Sequence, residues 1–156
     1  MRELNSEFLF EMKLLLAPNL AVGQGPLGKR VIAPFAGGSF NGPRLSGKVL
    51  PVGADWCLVG ADGVFNVDVR TVLEAESGGL IHATYGGRIV IPSNLMAAAF
   101  DPARCEQIDP AEIYFRSSIA FETALDSPNA WLNGKVGIGV GRLMRDGVNY
   151  QVYTIE

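Results

Sequence analysis

Histidine occurs once and cysteine twice in these 156 residues, and that poverty removes much chemistry at the outset. A lone histidine, His82, cannot assemble an ordinary zinc site, and it reads more readily as a packed or surface residue than as a general base. Cys57 and Cys105 lie far apart in dissimilar contexts, which gives neither a metal spacing nor a disulfide framework, so both read as reduced thiols. Positive charge is also scarce. The 13 Lys and Arg are outnumbered by 16 Asp and Glu, for a net charge of −3, and their scatter along the chain leaves no basic face for nucleic acid. No run approaches the roughly 20 apolar residues of a membrane-spanning helix. The stretch Met1 to Glu11 places Glu3, Glu7 and Glu11 among its apolar residues, unlike a secretory signal. Neither a phosphate-binding loop nor a Gly-x-Ser-x-Gly elbow occurs, so nucleotide binding and covalent hydrolase chemistry are disfavoured. The expectation is a cytoplasmic protein with no metal, no cofactor, and neither nucleic acid nor membrane as partner.

What the chain has in quantity is glycine, proline and apolar residues. Nineteen glycines and nine prolines punctuate a sequence that is 48% hydrophobic and 19% charged, and the short stretches between them favour many strands over long helices. Strands are predicted at Glu7 to Leu16, Arg30 to Phe40, Arg44 to Pro51, Asp55 to Val59, Val64 to Ala75, Leu80 to Ile91, Glu112 to Phe121, Trp131 to Leu143 and Val148 to Ile155. Closure removes the exposed edges of such a sheet, so the expected fold is all-β: a closed antiparallel β-barrel of about 8–10 strands with one short helix, in a single domain over 1–156. The helix begins at Ser93, expected to cap it, and stacks Leu95 on Ala99 and Met96 on Phe100 before Asp101 and Pro102 end it. Gln24 to Lys29 and Asp101 to Pro110 read as loops.

Turn chemistry predicts part of the register. Asp62-Gly63 reads as a two-residue type I′ hairpin, which sets Val59 opposite Asn66, Cys57 opposite Asp68 and Asp55 opposite Arg70. One face then carries Asp55, Cys57, Asn66, Asp68 and Arg70, and the other Trp56, Leu58, Phe65, Val67, Val69 and Leu73. Asp146-Gly147 is the same signal near the carboxyl end, setting Leu143 opposite Tyr150 and Gly141 opposite Val152. Gly78-Gly79 turns the chain between the strands on either side of it.

Several polar groups are candidates for a site. An Asp55–Arg70 pair across two strands is either an ordinary solvated contact or a constrained pair lining a lumen. Tyr114 and Arg116 share one strand face, where a phenol and a guanidinium can together hold a carboxylate, carbonyl or enolate. Glu122 follows on the same strand as a proton acceptor. Trp131 and Asn133 are expected on the face that holds Gly137, Gly139 and Gly141, where missing side chains leave room for a ligand or for a closely approaching strand. Tyr85 and Trp56 complete the set of candidate binding residues.

The run Gly37-Gly38-Ser39-Phe40-Asn41-Gly42-Pro43-Arg44-Leu45-Ser46-Gly47, followed by Val49-Leu50-Pro51 and Gly53-Ala54-Asp55-Trp56, resembles the DUF3237 family, also called UPF0311. The likeness continues through Asp68-Val69-Arg70, Tyr114-Phe115-Arg116, Phe121-Glu122-Thr123 and Trp131-Leu132-Asn133. It implies a compact antiparallel barrel and brings no secure activity. The function expected is binding of a small, partly apolar metabolite bearing a carbonyl or phenol, with cofactor-free isomerisation, dehydration or cyclisation. In that scheme Tyr114 and Arg116 polarise the substrate oxygen, Glu122 or Asp55 moves the proton, Arg70 orients Asp55, and Trp56, Tyr85, Trp131 and Asn133 help hold the molecule. The alternatives are a carrier or sensor without turnover, and a structural homodimer joined through an apolar outer face around Leu58, Val67 and Val69.

Overall fold

The alternation of apolar and polar residues is realised over nine strands in the computed structural model, which describes residues 3–156. They are β1 (Ser6–Leu16), β2 (Leu20–Gly25), β3 (Gly28–Asn41), β4 (Ser46–Val59), β5 (Phe65–Ala75), β6 (Leu80–Val90), β7 (Tyr114–Thr123), β8 (Val136–Met144) and β9 (Gly147–Ile155). All pairings are antiparallel. Neighbours follow the order β1-β9-β8-β7-β6-β5-β4-β3, and β3 pairs back onto β1, which closes an eight-stranded barrel. The ninth strand, β2, hydrogen-bonds to the amino-terminal half of β3, beyond the part that meets β1. It falls partly on the segment expected to be a loop.

Two of the register slips bend β3 and β4. The β3–β4 register slips between Pro34 and Gly38, and the β4–β5 register between Val49 and Gly53. At Gly53, φ is +100° and a Cβ would overlap the Arg70 carbonyl oxygen, so only glycine lets β4 bend this tightly against β5. The segments expected as separate strands, Arg44 to Pro51 and Asp55 to Val59, are therefore one bent strand. Before this bend the first half of β3 pairs with β2, and only its second half with β1.

The interior has two halves. At one end Phe10, Phe40, Leu73, Ile81 and Phe121 fill the space, with the Phe10 ring 5.2 Å from Phe40 and 6.3 Å from Phe121. A 3₁₀ segment, Ala130–Gly134, plugs this end through the fully buried Leu132. The residues expected as the start of the eighth strand thus form that plug instead, and Trp131 and Asn133 do not share a strand face with the glycines. At the other end sits the short helix α1 (Met96–Ala99), preceded by the 3₁₀ turn Ser93–Leu95. Ser93 makes no capping hydrogen bond, because the turn begins at Pro92. The inward face of β8 presents Gly137, Gly139 and Gly141 before Leu143, and aromatic rings fill the space: a Cβ at Gly141 would stand 2.5 Å from Phe115, and one at Gly139 3.1 Å from Tyr150. Close approach is thus the alternative realised along β8.

Candidate functional site

A cavity of about 550 Å³ occupies the half of the barrel interior that the aromatic cluster leaves open. Its walls are mostly apolar, with Phe35, Phe65, Val69, Ile89 and Phe115 among them. The polar side chains that break that surface include Asp55 from β4, Tyr85 from β6 and Tyr150 from β9. Cys57 adds a thiol beside Asp55.

The position of Asp55 follows from the β4–β5 turn. Val59 pairs with Phe65, and Gly60 N–H donates to the Val64 carbonyl while Gly63 N–H donates to that of Gly60. The loop is therefore three residues, Ala61-Asp62-Gly63, with Gly63 at φ +78° and Val64 N–H donating to Asp62 Oδ1 at 3.0 Å. This is a type I turn closed by a left-handed glycine rather than the two-residue turn expected. One extra loop residue shifts the pairing by one. Asp55 consequently faces Val69, while Ala54 faces Arg70. The expected Asp55–Arg70 pair does not form: Arg70 lies outside, 3.6 Å from Asp68, with both side chains more than half exposed. Val67 and Val69 are buried inside, so they contribute nothing to the outer apolar face on which the homodimer alternative was placed.

Asp55 stands where neither Trp56 nor Cys57 forms a ladder pair with β5. Its Oδ1 accepts the Asp68 N–H at 2.9 Å. Burial pushes its carboxyl up, the Asp68 N–H partly offsets that, and the neighbouring Asp68 carboxylate pushes it up again, leaving it at about 6. Burial and then the Asp55 charge push the Cys57 thiol up to about 12, so this cysteine stays protonated and is no nucleophile. The Tyr85 phenol is held well above its ordinary value by burial, by Tyr150 and by Asp55. Tyr150 is raised by burial and by Asp55. The two rings meet edge to face at 5.6 Å. Tyr150 comes close to the Tyr85 and Ser117 hydroxyls, yet neither Tyr85 Oη nor Ser117 Oγ reaches hydrogen-bonding geometry with any described protein group. Buried polar atoms of this kind cost about 1–3 kcal/mol each when unpaired.

The remaining expected residues are dispersed. Glu122 lies on the outer face of β7 with its side chain 83% exposed, 3.9 Å from His82. Tyr114 and Arg116 share that outer face, the guanidinium 5.3 Å from the ring, and Arg116 donates to the Phe115 carbonyl. Trp56 is on the outer side of β4, 36% exposed. Trp131 stacks under Arg44 at 3.9 Å. Asn133 accepts from Thr123 N–H and donates to the Thr123 carbonyl, tying the plug to β7. Of the nine, only Asp55 and Tyr85 line the cavity. Sequence reasoning missed Tyr150 and Cys57 as cavity residues. Alternation does mark Tyr150, which shares parity with Val148 and Val152 while Asn149 and Gln151 take the other face. Among the described residues no cluster of three His, Cys, Asp or Glu side chains is placed to hold a metal ion, and no helix is long and apolar enough to cross a membrane.

Residues 4–155 match the family described as protein of unknown function DUF3237. The chain belongs to the DUF3237 family. A UPF0311 protein of Rhodopseudomonas palustris (strain TIE-1) is 29% identical over 154 residues, covering 97% of both chains. The crystal structure of a conserved protein of unknown function from the same species superposes with a TM-score of 0.89 at 25% identity, covering all of both chains. A Penicillium herquei protein described as an enzyme superposes with a TM-score of 0.72 at 23% identity, covering 100% of this chain and 97% of that one, which extends the DUF3237 barrel to a more distant protein.

Proposed function

We propose that the cavity binds a small, partly apolar molecule through a carbonyl or phenol oxygen and moves a proton on it without a cofactor. The observation that carries this reading is the meeting of a carboxyl at about 6 with two buried phenols on the wall of an otherwise apolar cavity. That the P. herquei protein with this fold is described as an enzyme is in keeping with it.

The roles follow from proton affinity. Phenols raised above their ordinary values remain protonated and act as donors toward a ligand oxygen, and Tyr85 has a hydroxyl with no described protein partner to satisfy. A carboxylate near 6 is largely ionised at neutral pH, yet close enough to that pH both to take a proton and to return it. With a ketone held at Tyr85 and Tyr150, Asp55 removes a proton from the carbon next to the carbonyl. The C–H electron pair moves into the new C=C bond and the carbonyl pair onto oxygen, giving an enolate held by the phenols. Asp55 then returns the proton to the same or a conjugated carbon, so that isomerisation leaves redox state and atom count unchanged. Glu122, Tyr114 and Arg116 take no part, being outside.

Solvent-deuterium uptake by 2-tetralone, followed by NMR, tests this. The wild-type protein is expected to accelerate exchange at the carbon next to the carbonyl, Asp55→Asn to abolish the acceleration, and Tyr85→Phe to reduce it by roughly 100-fold. Binding of 2-tetralone with no acceleration by the wild type would replace this reading with that of a carrier.

A further inference from the structure

The cavity is apolar along its length but oppositely charged at its two ends. In the first half of β3, before its bulge, the inward-facing positions are the odd-numbered ones, and Lys29, Val31, Ala33 and Phe35 all line the space. Lys29 pairs with Val59 and Ala33 with Asp55, so the lysine lies four residues toward the open end from the level of Asp55. At about 3.3 Å per residue this is roughly 13 Å along the strand. Lys29 and Asp55 are the only charged residues lining the cavity among those described. No carboxylate among the described residues lies within 4.0 Å of the Lys29 ammonium, and its side chain is exposed at the mouth. Around it the rim is apolar: Met96 and Phe100 face the same opening, with the Phe100 ring 5.6 Å from that of Phe65. Asn19 adds an amide.

We propose that the ligand is an elongated monoanion, with a carboxylate or similar acid held by Lys29 at the mouth and a neutral carbonyl or phenol oxygen roughly 13 Å away at the Asp55–Tyr85–Tyr150 wall. This rests on the reading that the cavity is the binding site. The two charges act together: Asp55 repels an anionic group from the deep end, and Lys29 attracts it to the shallow one, so the ligand enters in one orientation. The apolar walls between them receive a hydrocarbon linker or ring. The β2–β3 hairpin contributes by carrying Lys29 past the last rung shared with β1, which sets the distance between the two ends.

Calorimetric titration with 6-(4-hydroxyphenyl)hexanoic acid and its carboxamide, beside the shorter 4-hydroxyphenylacetic acid and its carboxamide, tests both the charge and the length. The long acid is expected to bind the wild type roughly fivefold more tightly than the long amide at low salt, as a half-exposed ion pair allows. The preference should weaken with added salt, vanish in Lys29→Met and reverse in Lys29→Glu, both exposed substitutions that leave the core untouched. The short pair, too short to span the two ends, should show no preference. Equal binding of the long acid and amide, or a preference that survives Lys29→Met or that the short acid shares, would overturn the proposal while amide binding left the cavity reading standing. If no probe binds, the cavity reading itself fails and takes this one with it.

Discussion

The two halves of the barrel interior are built from the same strands and differ in what they do with their space. At the plugged end, aromatic rings from β1, β3 and β7 meet one another, and buried polar groups are paired: Thr123 Oγ1 donates to the Leu80 carbonyl at 2.7 Å, and Asn129 Nδ2 to the Ser77 hydroxyl and the Gly78 carbonyl. At the open end the strands splay over about 550 Å³, and the polar groups there are left unpaired or carry raised proton affinities. Packing and hydrogen bonding at one end supply the stability; the other retains groups that destabilise the fold unless a ligand satisfies them.

The largest expected effect that tests this contrast is on packing. Phe10 is 1% exposed and touches both Phe40 and Phe121. Phe10→Ala should therefore cost about 3–5 kcal/mol in urea denaturation, whereas Tyr85→Phe in the open half, which removes an unpaired hydroxyl, should leave stability unchanged or raise it by about 1 kcal/mol. Equal losses from the two would break the distinction between the halves.

A smaller effect concerns pH. The folded carboxyl of Asp55 titrates at about 6 against an ordinary 3.8. Between these values the folded protein keeps a proton that the unfolded chain has lost, so this group's contribution to stability falls as pH rises from 4 to 6 and is constant on either side. The span is about 2–3 kcal/mol. Thermal melts of wild type and Asp55→Asn at pH 4 and 7 should show a larger loss at the higher pH for the wild type alone, and parallel curves would sink the assignment.

The smallest effect is expected outside the barrel. Arg70 and Asp68 form an exposed pair, so Arg70→Ala should shift stability by no more than about 0.5 kcal/mol. A double-mutant cycle with Asp55→Asn should be additive within about 0.3–0.5 kcal/mol. Strong coupling would mean that Arg70 reaches Asp55 after all.

The β4–β5 and β8–β9 hairpins explain how much of this was legible. Both carry Asp-Gly, and both turn differently from expectation. Met144 pairs with Gly147, leaving Arg145 and Asp146 as the loop and shifting the register by two from that expected. Gly147 is needed elsewhere, since a Cβ there would overlap the Leu14 carbonyl oxygen of β1. A shift of two preserves parity, so Tyr150, Val152 and the β8 glycines still share a face as anticipated. At Asp62-Gly63 the shift is one, and parity reverses. Asp55 and Cys57 then join Val67 and Val69 inside, while Asp68 and Arg70 go outside, which is why the expected Asp55–Arg70 pair is divided between the cavity and the outer surface.

By itself the sequence determined most of the strands, the barrel class, the short helix and the family, because alternation, turn residues and motif runs are local and written residue by residue. Only the tertiary structure decided which alternating set meets the interior. That choice depends on the number of residues in each loop and on closure of all eight strands at once, so a single residue at a turn redirects every side chain beyond it.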